Sequence, residues 1–241
     1  NVSEAMGLRN ALLANLERAL TCSTKQEQQE LLNIVIVGGG ATGIEVAGIL
    51  SEMKRFVLPN DYPDMPSSLM HIYLIEAGPR LLAGMSEDSS LHAEKFLREM
   101  EVNILLNKRV IDYRDHKVIL EDGTEIATRT FIWVSGVTGV TIGNMNPSLI
   151  GRGGRIWGSM ATVGRNRAVA EFSKVQMQGW LAWVMWLVVH LRSILGVRNK
   201  VVVLLNWIWN YFTYDQSMRM IVYVRKAKEI RDREKVEATT H

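Results

Sequence analysis

Three glycines within residues 34–50 (IVIVGGGATGIEVAGIL) have the spacing of a phosphate-binding turn. Gly38, Gly40 and Gly43 fit G-x-G-x-x-G and lie between a run of β-branched residues and a predicted helix. In such a turn the first glycine permits a tight bend, the second leaves room for a pyrophosphate, and the third lets the helix pack closely on the strand. The N–H groups of the helix N-terminus then attract the phosphates. This context predicts a dinucleotide site; the alternative is a glycine-rich turn that binds nothing.

Two further groups lie at the carboxyl ends of predicted strands, where a parallel sheet binds its ligands. The carboxylate of Glu76 would accept hydrogen bonds from an adenosine ribose and repel a 2′-phosphate, which favours NAD over NADP. Arg80, a few residues later, weakens that preference slightly. Ser135 and Gly136 follow the last predicted strand, where small residues would line the crevice for a nicotinamide. A plain strand end is the alternative interpretation of that segment.

Strands and helices alternate in the order that these groups require. We predict strands over 34–37, 70–75, 102–106, 109–113, 117–120 and 130–134, and helices over 4–20, 25–32, 41–55, 87–100, 168–198 and 200–216. Residues 56–68, with three prolines, are predicted to form a loop, and Asp122-Gly123 to form a hairpin turn. Ser86 is the predicted N-cap of the helix that follows it. The alternation predicts an α/β fold in which a parallel, Rossmann-like sheet has helices on both faces.

The composition divides the chain into two environments. Five of the seven tryptophans lie between Trp180 and Trp209, and the residues from Gly158 onward include 13 Lys or Arg against 6 Asp or Glu. Residues 1–157 include 15 basic residues against 19 acidic ones, which is typical of a soluble domain. Because Cys22 is the only cysteine, the chain by itself has no disulfide framework, thiolate metal cluster or redox-active cysteine pair. We predict no metal site and no nucleic-acid partner.

The C-terminal third is apolar enough to meet a membrane without crossing it. Residues 180–189 (WLAWVMWLVV) are ten unbroken apolar residues, whereas a bilayer core of ~30 Å needs about 20. In the next predicted helix the polar side chains fall on one stripe, at Asn206, Asn210, Thr213 and Ser217. We therefore predict that residues 179–217 form amphipathic helices on the lipid bilayer surface. Helices of a protein core or of a homodimer interface are the alternative.

Several of these segments identify a family. IVIVGGGATGIEVAGILSEM, HIYLIEAGPRLL and IWVSGV resemble the NADH-binding domain of flavoprotein reductases with two dinucleotide-binding domains. GSMATVGRNRAV, the tryptophan-rich helix and NWIWNYFTYDQSMR resemble, more specifically, the C-terminal part of type II NADH dehydrogenases, the non-proton-pumping NADH:quinone oxidoreductases. The resemblance implies a peripheral or monotopic flavoenzyme on the inner (cytoplasmic) face of the cell membrane. In such an enzyme hydride passes from NADH to FAD, and two electrons pass on to a membrane quinone.

The resemblance also implies roles for particular residues. The pyrophosphate of NADH would be held at the turn, by Gly38, Gly39, Gly40, Ala41, Thr42 and Gly43. Glu76 would bind the ribose, with Ala77 next to it in the cofactor site, and Ser135, Gly136 and Val137 would lie beside the nicotinamide. Glu45, the candidate catalytic residue, would lie near the nicotinamide. An acid that only complements the dipole of its helix is the alternative.

The chain departs from the family in two respects. It has one G-x-G-x-x-G, whereas a full member has a further one for FAD. Ile156 abuts Trp157 where several tens of residues are expected, including an acidic FAD contact and a glutamine-bearing stretch near the quinone, and Trp157 replaces a lysine. We therefore expect a fragment with four parts: linker helices from the FAD-binding part (1–32), an NADH-binding Rossmann-like domain (33–137), a remnant of the FAD-binding domain (138–170) and a membrane-associating helical region (171–241).

Two other functions are open at this point. One is sulfide:quinone oxidoreductase, which shares the membrane habit but needs several catalytic cysteines, whereas this chain has only Cys22. The other is a non-catalytic, NADH-binding module associated with the membrane. The flavin content of the protein would distinguish that module from an enzyme.

Overall fold

The computed structural model describes residues 2–136, 159–172, 175–193 and 197–213. Its helices are α1 (Val2–Thr21), α2 (Lys25–Leu32), α3 (Ala41–Glu52), α4 (Leu58–Asp61), α5 (Glu87–Glu99), α6 (Trp180–Ser193) and α7 (Val197–Thr213). Its strands are β1 (Asn33–Val37), β2 (His71–Ile75), β3 (Val102–Leu105), β4 (Val110–Arg114), β5 (Lys117–Leu120), β6 (Glu125–Ala127), β7 (Thr130–Trp133), β8 (Ser159–Thr162), β9 (Ala168–Phe172) and β10 (Val175–Gln178). Most of the predicted remnant of the FAD-binding domain lies outside the described residues.

The sheet that carries the site has four parallel strands in the order β3-β2-β1-β7. All five residues of the central strand β1 are buried, because both faces of the sheet are covered. Alternate residues of a strand face opposite sides, so Ile34 and Ile36 pack with α3 and α5, whereas Val35 and Val37 pack with a second sheet, β4-β5-β6. The predicted α/β, Rossmann-like sheet is thus confirmed. Over the described residues, however, an antiparallel sheet covers the face where we expected further helices.

One helix cap and one hairpin turn in this part of the chain were predicted correctly from the residues around them. The side-chain oxygen of Ser86 caps α5 by accepting a hydrogen bond from the N–H of Ser89. Asp122-Gly123 lies in the turn between β5 and β6, where Gly123 has a φ of +83°. Both features depend only on residues within one turn, which is why the sequence predicts them.

The helix after the glycine turn is longer than predicted. We expected a helix over 41–55 and a loop over 56–68, but a π-helical turn, Met53–Val57, follows α3 and leads into α4. Pro59 lies at the start of α4, directly after the π-helical turn. Burial of Val57 and Leu58 in the core continues the helical path past the point where the prolines indicated a loop.

The prediction of a helix from residue 168 was wrong over 168–172 and 175–178. These residues form β9 and β10, which pair antiparallel with each other, and β9 also pairs with β8. Gly164 and Asn166, with φ values of +69° and +61°, form the turn between β8 and β9, and Gly179, with a φ of +72°, separates β10 from α6. These residues end the neighbouring elements, and the segment is strand because β9 pairs with both β8 and β10.

This three-stranded meander packs closely on α3. A Cβ atom on Gly48 of α3 would lie 2.6 Å from the N atom of Gly164, so the two backbones are in direct contact. The predicted domain boundary between residues 170 and 171 therefore falls inside β9, and the helical region begins at Trp180. The remaining domain boundaries stay predictions.

The C-terminal helices α6 and α7 pack on each other through aromatic rings. The ring centroids of Trp186 and Trp207 are 6.4 Å apart, and those of Trp183 and Tyr211 are 5.7 Å apart. Between the helices lies a cavity of about 480 Å³ with an almost wholly apolar lining. No helix in the described part of the chain combines the length and the hydropathy that a membrane crossing requires.

Candidate dinucleotide site

Gly38 makes the bend between β1 and α3. Its φ of +116° lies in a region that other residues rarely adopt, and its N–H donates to the carbonyl O of Ile75 at 2.9 Å. A Cβ atom on Gly38 would lie 2.9 Å from the N atom of Ser135. The bend therefore passes directly against the backbone that follows β7, and only glycine fits there.

The other two glycines of the motif have opposite surroundings. A Cβ atom on Gly43 would lie 1.9 Å from the carbonyl O of Gly38, because the first turn of α3 rests on the bend. A Cβ atom on Gly40 would meet no atom within 4 Å, and Gly40 is exposed. The fold itself thus requires glycine at the third position, whereas nothing in the described protein requires it at the second.

The N-terminus of α3 lies at the protein surface beside the glycine turn. Gly40 is its N-cap and makes no side-chain capping bond, and the next residues, Ala41 and Thr42, are half-buried and exposed. The first N–H groups of a helix have no intrahelical acceptors, and the helix dipole gives this end a partial positive charge. An anionic group placed here would be stabilised by both effects.

Glu76 follows β2 and is fixed against the glycine turn. One carboxylate oxygen, Oε2, accepts a hydrogen bond from the N–H of Gly39 at 2.6 Å, and Oε1 accepts one from the N–H of Gly78 at 2.7 Å. A carboxylate has about four acceptor positions, so two stay available after these bonds. The side chain is only half-buried, and its neighbour Ala77 is exposed at the same rim.

Arg80, whose positive charge weakens the predicted preference for NAD, forms hydrogen bonds within the loop that follows β2. Its Nη1 donates to the carbonyl oxygens of Met85 and Ser86 at 2.9 and 3.1 Å, and its Nη2 donates to that of Ala83 at 3.1 Å. These three bonds hold the guanidinium to its own loop. The guanidinium therefore stabilises the loop that begins at Glu76.

The glycine turn, Glu76 and Ser135 meet at the point where the strand order reverses. From β1 the chain passes to β2 and β3 on one side, and it returns as β7 on the other side of β1. Open α/β sheets bind ligands at such a switch point. Ser135 and Gly136 are exposed on the β7 side, and Gly136 has a φ of +77°. Val137, which we also predicted to lie at the site, is outside the described residues.

Glu45 lies in the second turn of α3, where the helix meets β8 and α6. Burial raises the pKa of its carboxyl above the ordinary value, while hydrogen bonding to the backbone of Thr162, the nearby His190 and hydrogen bonding to the side chain of Trp186 oppose the increase.

The partners of Glu45 were missed by sequence reasoning. Thr162, Trp186 and His190 belong to segments far along the chain, and β8 itself was not predicted. His190 was interpreted as a polar edge residue, and it is indeed exposed at the surface of α6. Trp186 carried no signal that could separate it from the other tryptophans of its helix.

Glu171 of β9 is another residue whose role only the structure reveals. Its Oε1 accepts hydrogen bonds from the N–H of Ser86 at 2.8 Å and from the hydroxyl of Ser89 at 2.7 Å, so it attaches the meander to the N-terminus of α5. Although burial opposes its ionisation, the bonds from Ser86 and Ser89 and the charge of Arg80 hold its pKa below the ordinary value.

Family models match almost the whole chain. The model described as pyridine nucleotide-disulphide oxidoreductase matches residues 4–156, and the model described as NDH2 C-terminal domain matches residues 157–214. The two matches meet between Ile156 and Trp157, the junction at which the sequence indicated absent residues.

Curated relatives of the chain are named as type II NADH:quinone oxidoreductases. Type II NADH:quinone oxidoreductase NdhA of Mycobacterium tuberculosis is 26% identical over 279 aligned positions, which cover 86% of this chain and 59% of the relative. The type II NADH:quinone oxidoreductase of Haemophilus influenzae is 34% identical over 118 residues, or 49% of this chain and 27% of the relative. This chain thus spans well under two thirds of the length of these relatives. Because 86% of 241 residues is spread over 279 positions, the mycobacterial protein has several tens of residues that this chain lacks in between.

A solved structure agrees in fold. NDH2 from Plasmodium falciparum in complex with NADH superposes with a TM-score of 0.77 at 14% identity, covering 92% of this chain and 74% of that one. The two family models, the named relatives and this shared fold confirm the resemblance found in the sequence. The chain belongs to the pyridine nucleotide-disulphide oxidoreductase family and, within it, to the type II NADH dehydrogenases.

Proposed function

We propose that this chain binds NADH at the glycine turn and that the whole protein is an NADH:quinone oxidoreductase. The observation that carries the first part is Gly40: it is exposed at the N-terminus of α3, and a Cβ atom there would enter empty space. A ligand that approaches the backbone this closely accounts for glycine where the fold has no need of it. The names of the relatives support the second part.

In this proposal different residues of the site bind different parts of the dinucleotide. The pyrophosphate lies at the N-terminus of α3, over the segment Gly38–Gly43. Glu76 accepts hydrogen bonds from the adenosine ribose with the acceptor positions that Gly39 and Gly78 leave available. A fixed carboxylate repels a 2′-phosphate, and Arg80 is bound to its own loop, so NADH is preferred to NADPH.

The nicotinamide lies on the β7 side of the crevice in the same proposal. Ser135 and Gly136 are exposed on this side, where their small side chains would leave room for a planar ring, and Val137 is assigned to the same side from the resemblance alone. Glu45 is the candidate catalytic residue beside it. Burial and the bonds from β8 and α6 would hold its carboxylate in one orientation towards that ring.

FAD is the proposed acceptor of the hydride in the whole protein, where it would supply the transfer of two electrons from NADH to the quinone. The described residues contain one strand–glycine–helix turn, and that turn is assigned to NADH. They therefore do not fit a second dinucleotide, and no residue of this chain is assigned to FAD.

The proposed electron acceptor is a membrane quinone, and α6 and α7 are the proposed attachment to the bilayer. Their exposed large apolar side chains are Trp180, Leu181, Val188, Val189, Val197, Val201, Val202, Leu204, Leu205, Ile208, Trp209, Tyr211 and Phe212. Each side chain buried in lipid would contribute roughly 1.5–3 kcal/mol, whereas each nearby Lys or Arg adds about 1 kcal/mol. We propose attachment to the inner (cytoplasmic) face without a crossing. The alternative is that the same apolar face forms the interface of a homodimer.

Flavin content and nucleotide binding test the proposal. A full-length parent should purify with bound flavin and reduce a soluble quinone with NADH, and residues 1–241 should bind NADH in a 1:1 calorimetric titration. NADPH is the matched control ligand and should bind more weakly. A flavin-free parent would favour the non-catalytic module, and a chain without NADH binding would overturn the assignment of the turn. The names of the relatives already favour this proposal over sulfide:quinone oxidoreductase.

A further inference from the structure

Two cavities of different character meet at one residue. The cavity between α6 and α7, of about 480 Å³, is lined almost wholly by apolar side chains. A second cavity, of about 690 Å³, lies at the C-terminal ends of α3 and α5 and has mainly polar and charged walls. Arg165, in the turn between β8 and β9, is the one described residue that lines both. The apolar and the polar cavity therefore adjoin at Arg165.

The turn that carries Arg165 is held from two sides. Its backbone N–H donates to the carboxylate of Glu52 in α3, and its guanidinium Nη1 donates to the main-chain O of Tyr211 in α7 at 3.3 Å. The hydroxyl of Tyr211 donates in return to the side-chain Oδ1 of Asn166 at 3.2 Å. These bonds fix a positive charge at the edge of the apolar cavity.

The apolar cavity has the size and the walls of a site for a hydrocarbon chain. Trp183 and Val184 of α6 lie on one side of it, and Leu204 and Trp207 of α7 lie on the other. Its volume is within the roughly 300–1,000 Å³ of sites that bind small molecules. Among the described residues that line it, Arg165 is the one with a charged side chain. Apolar walls with a cation at their edge are complementary to an amphiphile with an acidic head.

The charge of the polar cavity favours the same kind of ligand. Its described lining includes four cations and three acids: Lys54, Arg55, Arg165, Arg167, Glu52, Glu99 and Glu101. Lys54 pairs with Glu101 at 2.7 Å, and Arg167 pairs with Glu99 at 2.9 Å. Beyond these two pairs the lining has two arginines against one acid, Glu52, and burial raises the pKa of that acid above its ordinary value. The balance is positive, so an acidic headgroup is attracted.

We propose that the two cavities together bind one membrane phospholipid with an acidic headgroup, with an acyl chain between α6 and α7 and the headgroup at Arg165. The inference rests on the proposed function only for the source of the lipid, because that function places α6 and α7 on a bilayer. A neutral amphiphile such as a quinone gains no attraction from the charge at Arg165, so this charge favours the lipid.

The test titrates the chain, in a neutral detergent, with phosphatidylglycerol that has brominated acyl chains. Bromine quenches the fluorescence of an indole that it contacts, and Trp180, Trp183 and Trp207 line the cavity. We expect quenching that saturates at one lipid per chain. Phosphatidylcholine with the same chains is the matched control ligand, and it should bind about fivefold more weakly, which is the effect of one cation on an acidic lipid. Quenching without saturation, or equal affinities for the two lipids, would overturn the inference.

Four variants locate the lipid. Arg165→Gln should abolish the preference for phosphatidylglycerol and Arg165→Lys should keep it, as should Arg192→Gln, which removes an exposed cation of α6 outside both linings. Val184→Phe fills the cavity and should weaken both lipids at least tenfold. Val201→Phe makes the same change at an exposed position of α7 outside the lining and should leave the affinities unchanged. If Arg165→Gln does not fold, equal affinities in Val184→Phe and Val201→Phe would still overturn the inference.

Sedimentation with phosphatidylcholine vesicles at high salt separates this inference from the proposed attachment. Binding to the vesicles without a saturable site in detergent would leave the attachment standing and refute the lipid site. A saturable site without binding to vesicles would support the lipid site and refute the attachment. Displacement of the brominated lipid by an equimolar quinone with a decyl tail would show that the cavity belongs to the quinone, and this too would overturn the inference.

Discussion

Gly40 and Gly43 are three residues apart in one motif, yet replacing each with alanine should have different consequences. At Gly43 the added Cβ atom would lie 1.9 Å from the carbonyl O of Gly38 and 3.3 Å from a methyl carbon of Val134. At Gly40 it would meet nothing within 4 Å. We expect Gly43→Ala to lose more stability, and Gly40→Ala to lose NADH binding.

The magnitudes follow from these contacts. The atom that blocks Gly43→Ala is backbone, held by the bond from Gly38 to Ile75, so α3 itself must shift. Overpacking of this kind costs about 1–3 kcal/mol, and the higher helix propensity of alanine returns about 0.5–1 kcal/mol. A net loss of about 1–2 kcal/mol would lower the Tm by about 2–8 °C at this chain length. Gly40→Ala should cost less than Gly43→Ala, because its only effect on the fold is to replace one N-cap residue by a poorer one.

Nucleotide binding should separate the two variants further. In Gly40→Ala a methyl group would stand where the pyrophosphate approaches the backbone. We expect the Kd for NADH to rise at least tenfold, or about 1.4 kcal/mol. Thermal unfolding and calorimetric titration of wild type and both variants give the two quantities side by side.

Two results would refute this reasoning. Wild-type NADH affinity in Gly40→Ala would mean that the phosphates do not lie over the second glycine. A wild-type Tm for Gly43→Ala would mean that the close contact of α3 with the bend is not present in solution. A loss of stability in Gly40→Ala as large as that in Gly43→Ala would show that the fold, and not a ligand, requires the second glycine.

Four further predictions concern other parts of the molecule. Glu76→Arg should exchange the preference for NADH for one for NADPH, measured by titrating both nucleotides; unchanged relative affinities would remove Glu76 from the ribose. Glu171→Gln should lower the free energy of unfolding at neutral pH. Because the pKa of Glu171 is lowered in the folded protein, its contribution to stability is present above the ordinary pKa of a glutamate and is lost as the pH falls. In denaturant unfolding the stabilities of wild type and variant should therefore converge at low pH, and a difference that stays constant with pH would contradict this linkage. Detergent should release the protein from membranes and high salt should not, and release by salt alone would rule out a hydrophobic attachment. Residues 1–241 should bind NADH without reducing a soluble quinone when FAD is added, and turnover with stoichiometric flavin would show that the chain does contain an FAD site.

The sequence by itself determined the elements whose signals are local. The β1–turn–α3 unit was predicted because glycine spacing, the β-branched strand and the helix start all lie within residues 34–50. The cap at Ser86 and the turn at Asp122-Gly123 were predicted for the same reason, since a few neighbouring side chains fix them. The resemblance to the family was likewise carried by short continuous segments, and the family matches confirmed that resemblance.

Only the tertiary structure decided what depends on distant partners. The apolar run after residue 168 suits a helix or a strand, and it is a strand because β8 and β10 pair with it and Gly48 admits the turn at Gly164. The helix after Glu52 continues because its side chains find a core to enter, which the prolines do not reveal. The surroundings of Glu45 come from β8 and α6, more than a hundred residues along the chain. A hydrogen bond or a buried contact between such segments has no local signature, because its energy exists only after both have been placed by the fold.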